Sequence, residues 1–218
     1  MQTILVASRK GGSGKTTLAI HLATLANSAA APCLLVDADP QGSATFWYNR
    51  RVATTPMLSA VSAAGVAQVL KDARASKIAT AIIDSPPHDA AGISTLMRVA
   101  DLCVIPSRPG PLDLAAVGAT IEIARSAGVP FVVILNATPP PRGEAELAVV
   151  SEARQVLDVL GAPVLTSYVS QRAALSHSLI SGESVNEFAP ESPAAIEIAR
   201  AWATIQKVMK QTGVRKHG

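Results

Sequence analysis

Short apolar runs, each closed by a polar residue or a turn, recur along the chain at Ile4 to Ala7, Leu34 to Val36, Ala81 to Ile83, Leu102 to Ile105 and Phe131 to Leu135. Runs this short predict strands buried on both faces. Between them the spacing becomes helical. Leu18, Ile20, Leu22 and Leu25 to Ala26 follow the first run, Leu112 to Ala127 follows the fourth, and Val150, Ala153, Leu157 and Leu160 repeat at helical intervals before Gly161. Arg50 to Thr55 and Pro139 to Gly143 predict surface loops. Alternating strands and helices predict an α/β fold: one doubly wound, mostly parallel sheet flanked by helices on both faces. A chain of 218 residues suits a single domain spanning 1–218.

The first strand-to-helix junction reads Lys10-Gly11-Gly12-Ser13-Gly14-Lys15-Thr16-Thr17. Glycines there let backbone N–H groups approach phosphate oxygens, and the helix that follows points the positive end of its dipole at the same anion. Lys15 is placed to reach the β and γ phosphates, and the Thr16 hydroxyl to ligate Mg²⁺. The alternative is a glycine-rich turn with chance lysines. The ordinary pattern would have glycine five residues before Gly14, where this chain has Arg9.

The run fits the deviant form K-G-G-x-G-K-[ST], and in it the chain resembles the ParA/MinD family of partitioning and positioning ATPases. The resemblance implies a P-loop NTPase fold, ATP and Mg²⁺ as ligands, and a homodimer closed over two nucleotides. Lys10 would be the signature lysine that crosses the dimer to the partner's phosphates, stabilising charge as an arginine finger does. Read without the family, Lys10 is an exposed lysine beside a loop.

Two acidic strand ends extend the resemblance. Asp37-Ala38-Asp39-Pro40-Gln41-Gly42 looks like the family's second motif, with Asp39 orienting the attacking water and Asp37 near the Mg²⁺ shell. Asp84, closing Ala81-Ile82-Ile83, matches a Walker B acid that holds Mg²⁺. Ser85, Pro86 and Pro87 resemble the segment that senses the γ phosphate. The chain departs at His88-Asp89, where many relatives have a serine and a small or apolar residue, and His88 reads as an exposed loop histidine. Asn136 ends the fifth apolar run where family members often set an asparagine against adenine. An amide can serve a base edge, but asparagine also simply ends strands. Pro106, Pro109 and Pro111 predict a stiff connection, as in the small ParA subgroup.

Charge changes the picture only near the C-terminus, since the net charge is +3. No acidic residue follows Glu197, while Arg200, Lys207, Lys210, Arg215 and Lys216 do. On a helix Arg200, Lys207 and Lys210 share one side, opposite a stripe of Ile198, Trp202, Ile205 and Met209 with Ala194, Ala195, Ala199 and Ala201. A basic stripe is usually a solvated face. The resemblance turns it towards nonspecific DNA, with Arg172 a further candidate, in contacts that carry no sequence information. The rival is a MinD-like amphipathic helix lying on a membrane, and the small alanines favour packing on the sheet instead.

No run is long enough to cross a bilayer, and the chain enters its first strand at once, leaving no room for a signal peptide or an N-terminal helix-turn-helix region. A cytoplasmic, nucleoid-associated protein is expected. Cys33 and Cys103 read as core thiols, and the four histidines form no ligand motif. The resemblance implies plasmid or chromosome partition with a ParB-like centromere-binding or adaptor protein that stimulates hydrolysis. The alternative is a MinD-like or protein-cargo-positioning ATPase. A metabolic enzyme on the same fold, or a nucleotide-controlled scaffold, belongs to other classes that the motifs leave open.

Overall fold

The structure, a computed structural model, describes residues 1–141, 143 and 146–213; Arg215, Lys216 and His217 lie outside the described residues. Seven strands form one sheet in the order β3-β2-β4-β1-β5-β6-β7. They are β1 (Gln2–Val6), β2 (Cys33–Asp37), β3 (Met57–Ala60), β4 (Thr80–Asp84), β5 (Leu102–Ser107), β6 (Phe131–Thr138) and β7 (Val169–Ser170). Every pairing is parallel. Nine α-helices accompany them among the described residues: α1 (Lys15–Ala26), α2 (Ser43–Tyr48), α3 (Val66–Ala75), α4 (Ala90–Met97), α5 (Pro111–Ala127), α6 (Ala148–Val159), α7 (Ala173–Ile180), α8 (Val185–Phe188) and α9 (Pro193–Thr212).

The five predicted strands form the interior of the sheet because their side chains have apolar partners on both faces. Ile4 and Val6 point into one core with Leu35, Ile82, Val104 and Ile134, beneath α1 and α9. Leu5 and Ala7 point into the other with Val36, Ile83, Cys103 and Val133, beneath α4, α5 and α6. This period-2 division is why the strands read as unbroken apolar runs. The apolar pattern predicts neither edge. β3 is half solvated, with Met57 40 % exposed, and β7 is only two residues long, so neither offers a hydrophobic signal.

The strand order builds the site. β4 lies between β1 and β2, with Val6 opposite Asp84 and Asp84 opposite Asp37. Three carboxyl ends distant in sequence therefore share one row of the sheet, beside the switch in strand order where open parallel sheets hold ligands.

The C-terminal helix α9 packs as a core helix. Ala194, Ala195, Ile198, Ala201, Ile205 and Met209 are buried, while Trp202 is only partly covered and Ala199, expected on the apolar stripe, is exposed. Helices α1 and α8 and strand β7 cover the buried face. No helix among the described residues is long and apolar enough to cross a membrane.

Candidate nucleotide site

The loop after β1 is held from several sides. Ala7 N donates to Val104 O at 3.1 Å, Arg9 N to Thr120 Oγ1 at 3.1 Å, and Lys10 N to Ser8 Oγ at 3.3 Å. Gly14 caps α1 at φ 90°, a left-handed conformation that favours glycine. Space makes the same demand: a β-carbon on Gly14 would lie 2.2 Å from Asn136 Nδ2. Lys15, the first residue of α1, is 6 % exposed, whereas Lys10, Gly11 and Gly12 are open to solvent. Ser13 is buried, and Thr16 and Thr17 are half-buried.

Thr16 and Asp84, both expected at the metal, are in contact, Thr16 Oγ1 donating to Asp84 Oδ2 at 2.6 Å. Burial pushes the Asp84 carboxyl up to about 7, against the opposing effects of Thr16 and Lys15. Burial also lowers Lys15 from the ordinary lysine value, although Asp84 and Asp39 favour its charge. Three buried polar atoms here have no hydrogen-bond partner: Asp84 Oδ1, Ser85 Oγ and Ser13 Oγ. Orphaned buried oxygens are rare unless a ligand satisfies them. A carboxylate and a hydroxyl in contact, with a free oxygen beside a loop of backbone N–H groups, fit a hydrated divalent cation next to a phosphate.

Asp37 is used otherwise. Its Oδ2 accepts from Thr45 N at 2.8 Å and from Thr45 Oγ1 at 2.7 Å, and its Oδ1 from Asp39 N at 3.3 Å. Gly42, the N-cap of α2, has no side chain to offer, and Asp37 caps that helix from the neighbouring strand. Both oxygens of Asp37, expected near the Mg²⁺ shell, accept hydrogen bonds from the chain itself. Asp39 is half-buried at the start of the same loop, its Oδ1 accepting from Gln41 N at 3.0 Å.

Asn136 and Arg172 have partners within the chain that the sequence does not point to. Asn136 Nδ2 donates to Ser13 O at 2.8 Å, so the amide expected at adenine braces the phosphate loop. Arg172, expected on DNA, places Nη2 2.7 Å from Glu197 Oε1. Glu197 also accepts from Ser170 N and Ser170 Oγ, which ties β7 to α9. Arg108, Gln171 and Arg172 line a cavity of about 160 Å³ with Gly12, Gly14 and Thr17. Sequence reading missed Ser8, Thr120 and Thr45, whose neutral hydroxyls carry no motif.

Arg200, Lys207 and Lys210 are exposed on α9, as predicted. None of the three belongs to an ion pair among the described residues.

Residues 4–185 match the CobQ/CobB/MinD/ParA nucleotide-binding domain. A protein of Gloeobacter kilaueensis named for maintenance of carboxysome distribution, protein A, is 32 % identical over 191 residues, 84 % of this chain and 83 % of its own length. The chromosome-partitioning ATPase Soj of Thermus thermophilus is 26 % identical over 227 residues, 89 % of this chain and 91 % of its own. In fold, the chain is similar to apo McdA of Cyanothece, with a TM-score of 0.74, 20 % identity, and coverage of 96 % of this chain and 99 % of that one. The all-parallel sheet agrees with these matches. The chain belongs to the CobQ/CobB/MinD/ParA nucleotide-binding family, as one of its ParA/MinD-type ATPases.

Proposed function

We propose that the chain is a positioning ATPase that closes as a dimer over ATP, holds nonspecific DNA in that state and distributes a protein cargo. Lys15 holds the phosphates within its own subunit, Lys10 reaches across to the partner's, Thr16 and Asp84 hold Mg²⁺, and Asp39 orients water. Asp37 is left out of the metal set in this reading, since its Oδ2 accepts twice from Thr45 and its Oδ1 accepts from Asp39 N.

The single observation that carries the DNA part is the polarity of α9, with its apolar side buried and Arg200, Lys207 and Lys210 exposed. A helix lying on lipid would need that apolar side free. The carboxysome-distribution relative favours a protein assembly as cargo, reached through an adaptor that stimulates hydrolysis, and this reading takes precedence over plasmid or chromosome partition. The Soj relative supports partition, with a ParB-like partner, as the second reading. Either cargo gives a nucleoid-associated protein.

Anisotropy of a labelled, arbitrary DNA duplex tests the proposal. Binding is expected in ATP and not in ADP. Neutralising Arg200, Lys207 and Lys210 together should flatten the log K against log [salt] slope by roughly 0.9 for each DNA phosphate left unneutralised, about 3 if one subunit of the dimer contacts the duplex and about 5 if both do. Equal binding in both nucleotides, or none, would overturn the DNA part.

A further inference from the structure

His88, like Ala137, has an unusual backbone near the nucleotide site. Its φ is 60°, in the left-handed region that a β-carbon penalises. Asp89 N donates across it to Pro87 O at 2.8 Å, which makes His88 the centre of a three-residue turn of the strained hand. The turn is fixed on both sides. Pro86 and Pro87 stiffen the approach, and Asp89 caps α4, its Oδ1 accepting from Gly92 N at 2.8 Å. Strain of this kind persists where the surroundings over-determine it, and it collects at functional sites.

The side chain lies against the phosphate loop. A β-carbon built on Gly11 would lie 3.4 Å from His88 Nε2. The ring is otherwise exposed, so burial does not explain its position. One strand therefore delivers two groups to one loop: Asp84 reaches Thr16, and His88, four residues later, reaches Gly11.

ATP hydrolysis needs a water held in line with the bond to the terminal phosphate, and positioning supplies much of the catalysis. A carboxylate such as that of Asp39 offers acceptor oxygens, whereas an imidazole ring carries two nitrogens that can serve as donor and acceptor. We infer that His88 is a further catalytic residue, its Nε2 holding the attacking water on the Gly11 side of the loop. The water oxygen bonds to the γ phosphorus as the bond to the ADP oxygen breaks. ADP leaves with that electron pair, and the water proton passes to the released phosphate.

This inference rests on the ATPase reading and on neither DNA nor cargo. The test measures the affinity of the Mg²⁺-loaded protein for ADP with aluminium fluoride, a mimic of the transferring phosphoryl group, and for a non-hydrolysable ATP analogue, alongside the single-turnover rate. His88→Gly removes the ring and relieves the backbone; His88→Gln restores a donor and an acceptor. For His88→Gly we expect the rate and the aluminium fluoride affinity to fall together by about tenfold or more, with ATP-analogue affinity within about twofold, and His88→Gln to recover part of both. Wild-type rate and mimic affinity in His88→Gly would overturn the inference. So would an equal loss of affinity for both mimics, which marks a merely structural role. Loss of ATP-dependent DNA binding with these affinities as expected would bear on the positioning reading alone.

Discussion

Thr45 donates two hydrogen bonds to Asp37, 2.8 Å from its N and 2.7 Å from its Oγ1. That pair separates two carboxylates the sequence presents alike, since Asp37 and Asp84 each close an apolar strand and lie opposite one another in the sheet. Asp84 keeps one oxygen unpartnered, whereas both oxygens of Asp37 accept hydrogen bonds. Asp37→Ala should therefore lower stability by about 1 to 3 kcal/mol, through the lost helix cap and the stranded Thr45 donors. It should leave the Mg²⁺ dependence of ATP binding unchanged. Urea unfolding and a Mg²⁺ titration check this; unchanged stability with a much higher Mg²⁺ requirement would return Asp37 to the metal. Glycines 11, 12 and 14 and Lys15 were legible because a fixed motif needs them, whereas the partners of Asp37, Asn136 and Arg172 come from 8, 123 and 25 residues away.

At the scale of elements, α9 has the clearest division of labour. Ile205 is fully buried, facing the same core as Leu18, Leu22 and Val169. Ile205→Ala should cost about 2 to 5 kcal/mol in unfolding free energy and leave liposome flotation at the wild-type level. ATP-dependent cofloatation lost in the variant would instead make the stripe a membrane face. Arg172 belongs with this element, since its ion pair with Glu197 joins the edge of the nucleotide cavity to the helix bearing Arg200. Helix α1 shows the reverse case. It is buried nearly all round, so its periodicity located the helix but not the neighbours that enclose it. Edge strands β3 and β7 gave no signal because half of β3 is solvated and β7 is too short to repeat.

Across the whole molecule, His21 links the first helix to the C-terminal region. It is fully buried on α1, and its Nδ1 accepts from Val185 N on α8 at 3.2 Å. Burial pushes its pKa down from 6.5 to about 4, outweighing the Leu175 carbonyl and the Glu187 carboxylate, which favour the charged ring. Between those values the unfolded chain binds a proton that the folded protein refuses. Stability is therefore complete above about pH 6.5 and declines towards pH 4, by on the order of 3 kcal/mol. Urea midpoints at pH 7 and pH 4.5 measure the decline, and His21→Gln should reduce it. An equal decline in that variant would assign the acid sensitivity to other groups.

The sequence by itself determined the α/β class, the five interior strands, the phosphate loop, the acidic strand ends and the basic face of α9. Each is written in residues close together along the chain, as an apolar run, a glycine spacing or a helical period. The tertiary structure decided what those residues face. Placing β4 between β1 and β2 brought Asp84 to Thr16 and left Asp37 to cap α2. It also turned Asn136 onto Ser13, paired Arg172 with Glu197 and set His88 against Gly11. A hydrogen bond or an ion pair depends on distance in space, and local pattern does not encode the strand order that sets that distance.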